Sequence, residues 1–339
     1  MMITGTPFLK CLWDLTVQVC RKAQIPLYRK THDPKIFTTV QKIFLYLYKI
    51  KRKLTLRSLV EDLKTNKVVQ YLRLCRIPNF STLSHFLTEL PMRVLELIND
   101  ALQALLPSYN AVIIDSTGFE CTNPSHYFCQ RINSAFPIDG FLTLHAIIDQ
   151  EQGYIRSFKT LGRKRHDSTT LIPLVKRLKR TFDILFADRG YDSEENYRFL
   201  MEEIGCTPLI LQKNMLKPLA RCKGLYRLLM REIFDYGMYV LRNKVESVFH
   251  SIKSRYQSTL STKTVRNQKK ELTLKVLLYN MDKKIASAIA WFLIYVRGLF
   301  NKALNSHYHK IKAYFQNIHR KMCCPRMISN TLLHVLHTP

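Results

Sequence analysis

The sequence predicts an α/β protein in which helices flank a mixed β-sheet and an all-helical domain stands in front of it. Three observations predict this. Short, wholly apolar runs between residues 110 and 211 end at an acid or a turn, as buried strands do. Apolar stripes at helical spacing fill residues 1–107, and residues 239–258 again read as a helix.

In the first zone, Ile43, Phe44, Leu47 and Tyr48 make one stripe. Thr55 can cap a helix carrying Leu56, Leu59, Val60 and Leu63. Val68, Val69, Leu72 and Leu74 follow, ending before Ile77-Pro78. Ser81 then restarts a helix with Leu83, Phe86, Leu87 and Leu90, which Pro91 stops. Short basic helices joined by tight turns suit a helix-turn-helix-like DNA-binding domain over 1–107, and a plain helical bundle fits equally well.

The second zone, 108–282, opens with the strand Ala111–Asp115. Phe141–Asp149 follows, and Gly153 turns the chain into Tyr154–Leu161, which predicts antiparallel strands. Asp167 or Ser168 caps a helix with Leu171, Leu174, Val175 and Leu178. Ile184–Ala187 is the next strand, a helix of Tyr197, Phe199, Leu200 and Ile204 comes after it, and Pro208–Leu211 is the last strand. A three-strand meander followed by helix, strand, helix, strand is the element order of a ribonuclease-H-like fold. A second helix is expected around Leu272–Met281.

The third zone, 283–339, is a C-terminal helical extension, apolar at first and then basic through Lys302, Lys310, Lys312, Arg320 and Lys321. Its stretch Ile285–Val296 is too short to span a bilayer and reads as a core helix. The N-terminus, with Asp14, lacks the order of a secretory signal, so a soluble intracellular protein is expected, with no membrane partner.

Charge narrows the function. The chain has 53 Lys and Arg against 25 Asp and Glu, a formal net charge of +28, which favours a polyanionic partner such as nucleic acid. Hydrophobic residues at 47% exclude a disordered tail. The nine cysteines show no zinc or disulfide spacing: Cys121 and Cys129 stand too far apart, and Cys323-Cys324 with His319 lacks a second pair.

The chemistry rests on acids at strand ends. Asp115 and Asp188 each close an apolar run, where a carboxylate is held rigidly at the sheet's edge as a hard ligand for Mg²⁺. Either alone could simply start a turn. Glu246 supplies a third acid. At about 100° per residue, Tyr239, Arg242 and Lys253 lie within roughly 40° of Glu246 on a continuous helix. Leu241, Val245, Phe249 and Ile252 form the flank that would dock it. That face serves either a metal and nearby phosphates or a salt-bridged surface with nothing bound. Arg189 could hold a phosphate or form an ion pair. Asp192, with Glu195 three residues on, reads as a helix cap; His166 reads as structural, and His250 has no assigned role. Asp139, Asp149 and Asp183 read as turn residues.

The spacing Tyr239, two residues, Arg242, three residues, Glu246, six residues, Lys253 resembles the motif of DDE transposases of the prokaryotic insertion-sequence four and five group. Asp115 in Val-Ile-Ile-Asp-Ser-Thr and Asp188 in Phe-Ala-Asp-Arg-Gly-Tyr-Asp resemble that family's two aspartate motifs, 73 and then 58 residues apart from the next acid. Gly162 through Asp167 resembles the stretch before the helix that follows the third strand, and the likeness covers about residues 40–282. The resemblance implies a ribonuclease-H-like core whose Asp115, Asp188 and Glu246 bind two Mg²⁺ or Mn²⁺ ions. It implies nicking at the ends of a transposable element and strand transfer of the freed 3′-hydroxyl into target DNA. Tyr239, Arg242, Lys253 and Arg189 would contact double-stranded DNA, both the terminal inverted repeats and the target, in a homodimer or higher multimer in a prokaryotic cytoplasm. A DNA-binding descendant that no longer cuts, or a nuclease without strand transfer, are the alternatives.

Overall fold

A computed structural model of the chain describes residues 6–28, 35–66, 68–121, 141–162, 166–213, 215 and 224–322. Cys129, Asp139, Cys323 and Cys324 lie outside the described residues, as do residues 163–165 of the stretch before Asp167. The chain divides into two units, Met1–Lys284 and Ile285–Pro339.

The first unit begins with six helices: α1 (Thr6–Lys22), α2 (Thr39–Lys51), α3 (Leu56–Thr65), α4 (Val68–Leu72), α5 (Phe80–Glu89) and α6 (Met92–Gln103). The predicted stripe of α2 is buried, and so are Leu45, Tyr46 and Ile50, because this helix is enclosed nearly all round. Thr38 starts it with a reciprocal cap to Gln41. Thr55 caps α3 as expected, accepting from the Ser58 amide. At α5 the cap is Asn79, not Ser81: the Asn79 carboxamide oxygen accepts from the Ser81 amide at 3.0 Å, so the helix starts earlier. An Asn two residues after Ile77 competes for the free amides before Ser81 can.

The strands are β1 (Ala111–Cys121), β2 (Phe141–Asp149), β3 (Ile155–Leu161), β4 (Ile184–Ala187), β5 (Thr207–Ile210) and β6 (Thr259–Leu260). They form one mixed sheet in the order β3-β2-β1-β4-β5, with β6 also paired to β1. β1, β2 and β3 are an antiparallel meander, while β4 and β5 run parallel to β1. The meander's tight turn is locked by Asp149, which is fully buried. It accepts from the amides of Gln152, Gly153 and Tyr154 and pairs with Arg156 at 2.7 Å. Gly153, at φ +74°, takes the left-handed conformation that this turn needs.

On one edge β1 is shared. β4 covers residues 111–114 and β6 covers 120–121, so among the described residues 115–119 have no strand neighbour on that side. Asp115 stands at the start of this gap.

Helices cover the sheet: α7 (Ser168–Val175) and α8 (Glu194–Arg198), the latter running on as a wider turn through Ile204. After α9 (Leu225–Ile233) comes the predicted helix of 239–258, which is not continuous. It consists of α10 (Tyr236–Tyr239), a 3₁₀ turn (Val240–Asn243) and α11 (Lys244–Tyr256). Val245, Val248, Phe249 and Ile252 are buried against the sheet, each contributing roughly 2 kcal/mol. Leu241 falls in the 3₁₀ turn and is exposed, because the tighter turn rotates it off that flank.

The last helix is α12 (Val265–Met322). Between Gln268 and Asp282 it is buried on every face. Its polar residues are matched accordingly: Lys270 donates to the carbonyls of Leu87 and Thr88 at the end of α5, and Lys275 to those of Gln257 and Thr259. Asn280 bridges the amide and carbonyl of Ile155. In the second unit the expectation of a core helix over Ile285–Val296 fails. Ile285 is buried, but Trp291 is 67% and Ile294 72% exposed, and the residues between them are exposed too. Apolar composition cannot say whether a core is available to receive a helix. Among the described residues no helix is long and apolar enough to cross a membrane.

Candidate active site

The parallel register Ile114↔Ala187 brings Asp115 and Asp188 side by side, one residue further along β1 and just past the end of β4. Adjacent parallel strands lie about 4.8 Å apart, so the two backbones are first neighbours here. Each carboxylate is steadied by the amide that follows it: Ser116 N–H donates to Asp115 Oδ1 and Arg189 N–H to Asp188 Oδ1, both at 2.7 Å. The Asp188 bond starts the 3₁₀ turn Arg189–Tyr191, so the turn use of Asp and the site use of Asp are fulfilled by the same residue.

Arg242 reaches down from the 3₁₀ turn between α10 and α11. Its guanidinium lies 3.1 Å from Asp115 Oδ2 and 3.3 Å from Glu246 Oε1, so one cation joins the strand acid to the helix acid. Its Nε is buried without a hydrogen-bond partner. Tyr239 sits three residues earlier, with the guanidinium 5.9 Å from its ring centre, as the eclipsed i, i+3 spacing of a 3₁₀ turn allows. Burial pushes the Tyr239 hydroxyl up to about 12, opposed by the nearby Arg242. Glu246 itself is 66% exposed. Burial raises Asp115 to about 6, against the Ser116 amide and Arg242, and the negative charges of Asp188 and Asp167 push the same way.

Asp167 is the acid that the sequence reading treated only as a cap. It stands at the N-terminus of α7, yet its side chain makes no capping bond there. Instead Oδ1 lies 3.5 Å from the Ser116 hydroxyl and 3.7 Å from Nδ1 of His145, a buried histidine on β2 whose pKa is lowered by burial. Its other oxygen rests over Gly190: a Cβ there would come within 2.9 Å of Asp167 Oδ2. Asp167 thus lies beside Ser116, next to Asp115, and Gly190, two residues past Asp188. The Tyr191 hydroxyl is fully buried near the Thr170 hydroxyl and lies within electrostatic reach of Asp167, Asp115 and Asp188. The signal in the sequence was the Asp167–Ser168 pair, where Ser168 could serve the helix and free the Asp, but nothing local distinguishes those roles.

The other expected residues stand in different settings. Lys253 lies along α11 with its ammonium 5.6 Å from the centre of the Phe119 ring on β1. Arg189 is exposed beside Asp188. Asp192 is not a cap: Ser193 starts α8, and the buried Asp192 carboxylate accepts from the Lys213 amide and pairs with Arg227 at 2.9 Å. A long-range Arg outcompetes the local amide there. His250 is exposed, and the carbonyl of His166 accepts from the Thr169 hydroxyl.

Among the described residues, no group of three or more His, Cys, Asp or Glu is spaced to hold a metal as it stands. The Arg242 guanidinium lies between the Asp115 and Glu246 carboxylates, within 3.1 and 3.3 Å of them. The donors are nonetheless hard carboxylate oxygens, and Asp115 carries a charge that its buried setting disfavours, which fits a divalent cation.

No curated protein matches the chain. A solved structure described as the cryo-EM structure of piggyBac transposase synaptic complex with hairpin DNA is similar at 10% identity and a TM-score of 0.43, over 82% of this chain and 73% of that one. Residues 106–281 match the family described as transposase DDE domain. That span takes in the whole sheet, Asp115, Asp188, Asp167 and the helix of Glu246, and is more than half of the sequence. The chain therefore belongs to the family of transposases that carry a DDE domain.

Proposed function

We propose that this transposase cuts DNA at the ends of its element and joins the freed 3′-hydroxyl to target DNA, in a ribonuclease-H-like core. The strand order with its meander and two parallel additions supports that fold assignment. The observation that carries the chemistry is the placement of Asp115 and Asp188 on neighbouring strands, with Arg242 linking Asp115 to Glu246. Asp115, Asp188 and Glu246 would hold Mg²⁺ or Mn²⁺, two ions in all, with Asp167 as an accessory carboxylate. Bound there, such ions supply Lewis acidity that activates water or a 3′-hydroxyl and offsets charge on the scissile phosphate.

The residues' own parts follow from their positions. β1 holds Asp115 rigidly, since its backbone is paired to β2 on one side and to β4 up to its neighbour. Asp188 is fixed by the turn it begins. Arg242 neutralises Asp115 and Glu246 while no other cation is present, and its guanidinium is then the group for which a phosphodiester competes. Tyr239, with its high pKa, stays a neutral hydroxyl, fit to donate to a phosphate oxygen or stack on a sugar or base. Lys253 and Arg189 supply further phosphate contacts, Lys253 beside Phe119 of β1. Residues 1–107 would bind DNA as a separate domain, 108–282 would be catalytic and 283–339 an extension, with the enzyme acting as a homodimer or higher multimer.

The test is a cleavage assay on double-stranded DNA carrying the element's terminal repeats, with Mg²⁺ and with Asp188→Ala as the control. Nicking by the wild type alone, followed by joining, is the expected result. Binding without Mg²⁺-dependent nicking refutes the enzyme, and nicking of any DNA without joining favours a plain nuclease.

A further inference from the structure

A second concave site lies at the opposite side of the meander. A cavity of about 700 Å³ opens along the outer edge of β3, between α6 and the segment 177–180 that follows α7, with Lys269 and Thr273 of α12 on a further wall. Its volume is within the roughly 300–1,000 Å³ of small-molecule sites. It is not the acid cluster: Asp115 pairs with Ala146, and Ala146 with Phe158, so the cavity's Phe158 wall stands two strands, or about 10 Å, from Asp115.

The lining is cationic and its charges are unevenly matched. Seven Lys and Arg line it against two acids, Glu96 and Asp100. Both acids have partners already, Glu96 with Arg93 at 3.6 Å and Asp100 with Lys179 at 3.8 Å. Arg156 is committed to Asp149, and Arg177 donates to the Phe158 carbonyl. Among the described residues Lys159, Arg180 and Lys269 have no ion-pair partner. Three uncompensated cations around one concavity call for an anion of more than one charge.

The remaining lining is apolar and aromatic: Phe158, Tyr109, Met92 and Leu178. Ser157 also lines the cavity, and its buried hydroxyl has no hydrogen-bond partner. Inorganic phosphate alone would satisfy the cations and leave this wall wet. A phosphorylated nucleoside satisfies both, with its phosphate on the cations and its base on the aromatic side. We propose that the β3-edge cavity binds a phosphorylated nucleoside unit, presented either within a single strand of DNA or as a free nucleotide.

The test uses the full chain without divalent ions, reading fluorescence anisotropy of a labelled hexadeoxythymidylate. Thymidine monophosphate and inorganic phosphate serve as competitors. One variant, Lys159→Ala/Arg180→Ala/Lys269→Ala, removes the unpaired cations. Another, Phe158→Ala, removes the aromatic wall at constant charge, and Thr160→Tyr, which fills the cavity, replaces it if Phe158→Ala does not fold. We expect the triple variant to weaken binding at least tenfold and to lower the salt slope by about 2, as three lost single-strand phosphate contacts require. The constant-charge variant should weaken binding several-fold. Competition by the monophosphate, with inorganic phosphate weaker, identifies a free nucleotide, while variant-sensitive binding of the hexamer alone identifies a strand. The proposal is overturned if the constant-charge variant binds both probes like the wild type, because the loss is then surface charge only, or if the triple variant changes nothing. Cleavage is not the readout, so this proposal and the cutting activity fail or stand separately.

Discussion

Replacing Asp115 by Asn should make the ion-free protein more stable. In the folded chain burial lifts its carboxyl from 3.8 to about 6, so the folded state holds that proton more tightly than the unfolded state does. Its contribution is therefore most favourable below about pH 4 and is lost as pH rises to about 6. Above that the ionised carboxylate is a fixed cost. A shift of about 2 units at 1.36 kcal/mol each sets a ceiling of about 3 kcal/mol. That shift is already net of the attraction to Arg242 across the 3.1 Å ion pair, so nothing more is subtracted for it, and the variant gains up to that ceiling. Urea unfolding in a chelator, from pH 4 to 8, measures it. The difference between variant and wild type should grow between pH 4 and 6 and stay level above. Saturating Mg²⁺ should then narrow the gap by stabilising only the wild type, by about 2.7 kcal/mol at a hundred times its dissociation constant. A variant no more stable than the wild type at pH 7, or a gain independent of pH, would refute the reading of Asp115 as a desolvated, charge-strained acid.

Gly190→Ala places a methyl 2.9 Å from the Asp167 carboxylate without a strained φ, so stability should change by less than about 1 kcal/mol while Mg²⁺-dependent nicking falls about tenfold. Unchanged nicking would remove Asp167 from the site. Asp149→Ala strands the buried Arg156 and frees three turn amides, and urea unfolding should show a loss of about 3–5 kcal/mol. Asp192→Ala should cost about 2–3 kcal/mol through its pair with Arg227, where the loss of a mere helix cap would cost about 1. Arg242→Gln should leave the fold intact and raise the Asp115 pKa further, seen by titration of the labelled carboxyl in NMR, because its one cationic neighbour is gone.

Much of this protein was legible in local pattern. Strands β2, β3, β4 and β5 could be read within a residue or two because apolar runs between turns have few alternatives, whereas β1, read as ending at Asp115, runs on through polar residues to Cys121 because β2 pairs with it there. Thr55 could be read as a cap because a cap involves only the next three residues. The failures share a cause. Residues 239–258 read as one continuous helix because spacing cannot register the 3₁₀ turn that carries Arg242 toward Asp115. Asp192 reads as a cap until Arg227, 35 residues on, is brought to it. Ile285–Val296 reads as core until it is known whether anything covers it.

The sequence by itself determined the α/β class, the polyanion-seeking charge and the placing of Asp188 just past the end of β4, since each depends on composition or on neighbours a few residues apart. The expected strand end at Asp115 is not one, because pairing with β2 carries β1 on to Cys121. Only the tertiary structure decided that Asp115 and Asp188 stand in register at a gap in the sheet's edge, that Arg242 ties Asp115 to Glu246, and that Asp167 leaves its helix to join them. Apart from the one-turn link between Arg242 and Glu246, those are contacts across 51 to 127 residues of chain, and no periodicity along the sequence encodes a distance between elements that only packing brings together.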